Sequence, residues 1–206
     1  WSGPTSVECV GSDDRDWIGL YVMEFSQSGH CIEGLMGYTP SGTQIEDIAV
    51  DDEGDFYITG KYMGVLYPGN AQHPQQSSYT NTGSGLTSNC GNYCFGQNAF
   101  LLKGDLSTNW IWGNGTTEHN RGCNAFSPCW VNSQETGVSI DFDENGDALL
   151  VGYFDNSEAF GGPNTYPYTH GSMNLSYRGG YSDIFLANYN SDDGELQWVE
   201  TMGSSS

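Results

Sequence analysis

The residues with the clearest chemical potential form one acidic run, Asp141-Phe142-Asp143-Glu144-Asn145-Gly146-Asp147. Side-chain oxygens at alternate positions, with glycine at the sixth, open a calcium loop. Asp141, Asp143, Asn145 and Asp147 are therefore the candidate metal ligands, and calcium is the one candidate ion. The twelfth position, where an EF-hand needs a bidentate glutamate, is Gly152, and the flanks read as strands rather than helices. The same residues also suit a tight acidic hairpin turn. That is the preferred reading, and it requires no cofactor. Asp51-Asp52-Glu53-Gly54-Asp55 offers the same two alternatives with weaker spacing.

Nothing else assembles into catalytic chemistry. The histidines are His30, His73, His119 and His170, and the sequence contains neither G-x-S-x-G nor H-E-x-x-H. With 26 acidic residues, carboxylate pairs are plentiful by number alone. A glycosidase needs two of them at a set separation across a cleft, which spacing does not reveal. The expectation is a protein that is not an enzyme.

Six cysteines, Cys9, Cys31, Cys90, Cys94, Cys123 and Cys129, form an even set suited to an oxidising compartment. Their connectivity is open, and local pairing (Cys9–Cys31, Cys90–Cys94, Cys123–Cys129) is the expectation. Zinc fits poorly, because the spacings around His119 do not make a good ligand pattern. Two sequons, Asn114-Gly115-Thr116 and Asn174-Leu175-Ser176, mark Asn114 and Asn174 as candidate glycosylation sites. Together these features point to an extracellular glycoprotein.

Five Lys and Arg against 26 Asp and Glu give a formal net charge of −21. Such a surface repels nucleic acid, whose binding requires cations to neutralise phosphates. No stretch approaches the roughly 18 apolar residues of a membrane helix, so membrane insertion is not expected. The chain is nevertheless 14% aromatic, unlike a disordered acidic tail.

The elements that position these residues are strands. Short runs alternate apolar and polar residues between Gly/Asn/Asp/Ser clusters, as in 17–25, 47–50, 55–60, 99–103 and 148–153. Two motifs recur. One is a hairpin with an acidic glycine turn, at 48–60 and again at 139–152, aligning Gly54 with Gly146. The other occurs at 16–25, 98–103 and 183–189, aligning Phe100 with Phe185. Its last copy continues through Asp192-Asp193-Gly194-Glu195 into Leu196-Gln197-Trp198-Val199, and its middle copy into Trp110-Ile111-Trp112. Trp17, Trp110 and Trp198 occupy strand positions that suit a core. Trp110, Trp112, Trp130, Tyr166, Tyr168 and Tyr177 lie near polar loops, where aromatic rings stack on sugars or anchor protein contacts.

In that order the motifs resemble the SBBP β-propeller repeat, on Asp183 to Trp198 and Ile48 to Gly60, with Asp141 to Gly152 a weaker match. The resemblance implies an all-β fold of antiparallel blade-like sheets, each unit supplying about one blade. Segments 61–97 and 114–135 read as long loop insertions carrying four of the cysteines. One domain, 1–206, then holds units at about 16–96 and 97–180 and a partial unit at 181–206. Propellers typically need about 4–8 blades, so the count does not close. A lone third half would leave open strand edges that recruit other strands.

The leading expectation is an extracellular structural glycoprotein that self-assembles through β-edge contacts into a filament or surface appendage, its partners being copies of itself. A propeller-type module binding glycans or proteins is the alternative. A fragment of a secreted hydrolase is the third.

Overall fold

The alternating runs fold as strands in the computed structural model, which describes residues 18–39, 42–63, 65–68, 86–87, 97–106, 109–118, 134–155, 158–160, 173–175, 178 and 181–203. The described residues are all-β, in three antiparallel sheets, with no helix. The first sheet runs β1 (Ile18–Phe25), β2 (Cys31–Thr39), β5 (Val65–Pro68), β6 (Leu86–Thr87). The second has the spatial order β3 (Thr43–Val50), β4 (Phe56–Tyr62), β7 (Asn98–Asp105), β8 (Asn109–Glu118), β11 (Glu158–Phe160), β12 (Met173–Leu175). The third is β9 (Thr136–Phe142), β10 (Ala148–Phe154), β13 (Asp183–Tyr189), β14 (Leu196–Met202).

The second sheet lies between the other two, and its side chains show this. Successive residues of a strand point to opposite faces. Phe56, Ile58, Phe100 and Leu102 join Leu20 and Val22 of β1 in one apolar cluster. Their neighbours Tyr57, Ala99, Leu101 and Trp112 join Leu150, Phe185 and Tyr189 of the third sheet in another. With both faces covered, Phe56–Gly60 and Ala99–Gly104 are buried without interruption. Rings meet edge to face across these clusters, Phe56 with Trp110 at 5.3 Å and Tyr57 with Trp112 at 5.7 Å.

The two motifs are repeated in three dimensions. In the β3–β4 turn the Asp51 amide donates to Asp55 O (2.9 Å) and Gly54 N donates to Asp51 O (3.1 Å). In the β9–β10 turn Asp143 and Asp147 (3.0 Å) and Gly146 and Asp143 (3.0 Å) repeat both bonds. Gly54 and Gly146 have φ of 93° and 84°, a conformation that glycine alone adopts without strain. The second motif repeats down to its irregularity. The ladder shifts at Glu24/Phe25, at Lys103/Gly104 and at Asn188/Tyr189, so Tyr21, Phe100 and Phe185 are equivalent positions.

The grouping of strands differs from the expected units. The third copy of the second motif is not a lone half: β13 pairs with β10 of the same chain over Ala148–Phe154. The open edge expected there is filled. Among the described residues the half without its hairpin is the first one, since no counterpart of β3–β4 pairs with β1–β2 there. Strands also lie between the recurring motifs, one pair of them inside the expected insertion 61–97. β5–β6, between β4 and β7, extends the first sheet from β2, and β11–β12, between β10 and β13, extends the second from β8. Each of these strand pairs adds a hairpin to the preceding sheet, and β8 occupies 114–118 of the stretch expected as the second insertion.

Candidate functional site

The acidic turns gather at one end of the sheets, and their carboxylates are engaged in building them. Asp143 Oδ1 accepts from the amides of Asn145 (2.8 Å) and Asp147 (3.0 Å), and Oδ2 faces Asn188 Nδ2 at 3.4 Å. Partial desolvation pushes the Asp143 carboxyl up. The amides of Asn145 and Asp147 and the side chains of Asn145 and Asn188 outweigh it, so its pKa falls below the ordinary carboxylate value. Asp147 Oδ1 accepts from Ser191 N (2.9 Å), and Asp141 Oδ1 from Phe142 N (2.9 Å). Asn145 is exposed. Asp143 and Asp147 thus accept hydrogen bonds from backbone amides. Among the described residues no three His, Cys, Asp or Glu side chains are grouped to hold a metal ion.

The equivalent turn of the second sheet carries a buried cation. Lys103 Nζ lies 2.9 Å from Asp55 Oδ2 and 3.4 Å from Asp51 Oδ2, and it donates to Ser191 O of the third sheet at 3.1 Å. The ammonium also sits 5.1 Å from the centroid of the Tyr57 ring. Burial alone would lower the lysine's pKa, but Tyr57 and Asp55 more than reverse this and raise it. Burial pushes the Tyr57 phenol up to about 12, against the opposing influence of Lys103. Trp112 Nε1 donates to the same Ser191 carbonyl at 3.1 Å. These contacts fasten the β13–β14 turn of the third sheet to the second.

A further clasp lies at β9. Asp47 Oδ2 accepts from Ile140 N (2.8 Å) and bonds Ser139 Oγ (3.0 Å). Ile140 packs beneath it with 7% exposure, and Phe142 meets Tyr57 edge to face at 5.0 Å. Sequence reading passed over both Lys103 and Asp47. The available signal was that Lys103 is one of five basic residues among 26 acids and sits in an apolar run.

Of the two sequon asparagines, Asn114 is buried and its Nδ2 donates to Gly194 O. The nitrogen that would carry a glycan is committed to that hydrogen bond. Asn174 lies on β12, the outermost strand of the second sheet, paired with Ala159. Cys31 is disulfide-bonded, and its partner falls outside the described residues, as do Cys9, Cys90, Cys94, Cys123 and Cys129. Trp17, Trp130, Tyr166, Tyr168 and Tyr177 also lie outside them. Trp110 is buried as expected, but Trp198 is 40% exposed. It occupies the position of Trp112, and among the described residues no further sheet covers it.

What the arrangement leaves open is a set of edges. Among the described residues β1 has no strand on its outer side, and neither has β14. On β3, Ile48 and Val50 are 53% and 61% exposed, although their equivalents on β9 are the buried Ile140 and the packed Phe142. The difference has one cause. β9 packs against β3 and β4, whereas among the described residues no such hairpin precedes β1 to pack against β3. Among the described residues, the outer edge of β1 and the exposed Ile48 and Val50 of β3 lie side by side, where the equivalent hairpin β9–β10 sits in the third sheet.

The sequence matches no protein-family model, and a search of curated proteins finds no similar chain.

Proposed function

We propose that this chain is an extracellular structural glycoprotein of blade-like, β-propeller-type sheets that assembles with copies of itself through open β edges, as a filament or surface appendage. The observation that carries this reading is the first sheet, in which, among the described residues, no strand pairs with the outer edge of β1, beside the exposed Ile48 and Val50. Unpaired N–H and C=O groups next to uncovered apolar side chains are what strand addition satisfies. The repeated turns, the matching ladder shifts and the SBBP-like motifs support blades as the unit of construction. The bonded state of Cys31 supports an oxidising compartment, and Asn174 is the glycan site that remains. The reading is structural rather than catalytic because the best-defined charged group, Lys103 with Asp51 and Asp55, is enclosed between sheets.

Sedimentation velocity over a wide concentration range tests it. Self-assembly gives boundaries far heavier than 22.4 kDa that grow with concentration. A boundary that stays at the mass of one chain overturns the reading.

A further inference from the structure

The three copies of the second motif allow a comparison that the molecule makes with itself. Tyr21, Phe100 and Phe185 are equivalent, as are Met23, Leu102 and Ala187, and Phe25, Gly104 and Tyr189. These positions form the face that each sheet turns toward the sheet before it. Phe100 and Phe185 are 1% and 0% exposed, but Tyr21, Met23 and Phe25 of the first sheet are 46%, 44% and 56% exposed.

The opposite face behaves as its mirror. Leu20, Ala99 and Ile184 are equivalent, and so are Trp112 and Trp198, which follow the same ladder shift. Leu20, Ala99 and Trp112 are 1% exposed, each covered by the following sheet. Ile184 is 47% exposed and Trp198 40%, and Val151 beside them is 39% exposed. The apolar side chains exposed at the two ends are therefore of the kind that meet inside the molecule.

We infer that the outer face of the third sheet, with Val151, Ile184 and Trp198, docks against the outer face of the first sheet of a second copy, with Tyr21, Met23 and Phe25. The occupant is a copy of this chain because the contact continues one the chain already makes twice, first sheet on second and second on third. The two faces differ, so the contact is heterologous. Such contacts close into a ring or propagate as a helical filament. This inference rests on the proposed self-assembly and adds to it a contact between sheet faces, distinct from the β1 edge, together with its polarity and its residues.

The test uses one substitution per face, Met23→Glu and Ile184→Glu. Both side chains are about half exposed in the single chain, so the fold should tolerate them, and unchanged thermal unfolding verifies that. Phe25→Glu and Trp198→Glu are the second pair if either variant misfolds. A carboxylate buried without a partner should weaken association at least about tenfold. Each variant alone should sediment as one chain. An equal mixture should stop at dimers, because each variant keeps one intact face. Wild-type assembly that persists in either variant overturns the inference, as do homodimers of one variant or a mixture that stays monomeric. A wild-type chain that never assembles overturns the proposed function itself, and this outcome is distinguishable because it appears before any substitution.

Discussion

Lys103→Met should be among the most damaging single substitutions in the chain. The Asp51 side chain is 4% exposed, that of Lys103 9% and that of Asp55 24%. Asp51 Oδ2 accepts no hydrogen bond, so the ammonium 3.4 Å away is the charge that compensates it. Removing one partner of a buried ion pair costs about 3–5 kcal/mol, because the other charge is stranded. Asp55 can recover some hydration at its exposure, which places the expected loss near the lower figure, about 3 kcal/mol. For a chain of 206 residues that is a fall in Tm of about 6–12 °C. Chemical denaturation of wild type, Lys103→Met and the triple variant Lys103→Met/Asp51→Asn/Asp55→Asn measures it. The triple variant should recover much of the loss, because no uncompensated charge remains. A Lys103→Met protein within about 1 kcal/mol of wild type would refute this view of the cation as a clasp between sheets.

Trp112→Ala should cost about 3–5 kcal/mol by denaturant titration, whereas its exposed equivalent Trp198→Ala should cost the unassembled chain far less; equal losses would mean the end of the stack is covered. Asp143 has a lowered pKa, so its contribution is present above the ordinary carboxylate pKa and is lost as pH falls through the lowered value. Asp143→Asn should flatten stability against pH on the acid side, as followed by thermal unfolding. Lys103 has a raised pKa, so its contribution is complete below the ordinary lysine pKa and disappears only as strongly alkaline pH passes the raised value. Gly146→Ala should cost about 1 kcal/mol from the positive φ alone, since nothing lies within 4 Å of the added methyl. Finally, a net charge of −21 opposes association, so light scattering should show assembly strengthening with moderate salt as the repulsion is screened.

Much of the fold is legible in the sequence because its signals are local. Alternation fixed the strands, and the acidic glycine turns at Gly54 and Gly146 needed only neighbouring residues to be recognised. Grouping the strands was harder. The motif at 183–189 reads as the start of a new unit, yet β13 completes the sheet begun by β9 and β10. Between them lies an insertion whose β11–β12 strands join a different sheet, and no local pattern announces that exchange. Burial was misjudged for the same reason. Trp112 and Trp198 look alike along the chain, and only the presence of a neighbouring sheet separates them. The calcium-like spacing at Asp141 to Asp147 likewise records a turn whose carboxylates cap backbone amides. The sequon at Asn114 gives no hint of burial, because the residue that occupies its amide, Gly194, is distant in sequence.

Electron microscopy of the native material tests the central claim most directly. A regular assembly is expected, in which the third sheet of one copy faces the first sheet of the next, with Trp198 and Ile184 against Tyr21 and Met23. Discrete particles in which both outer faces remain bare would contradict it.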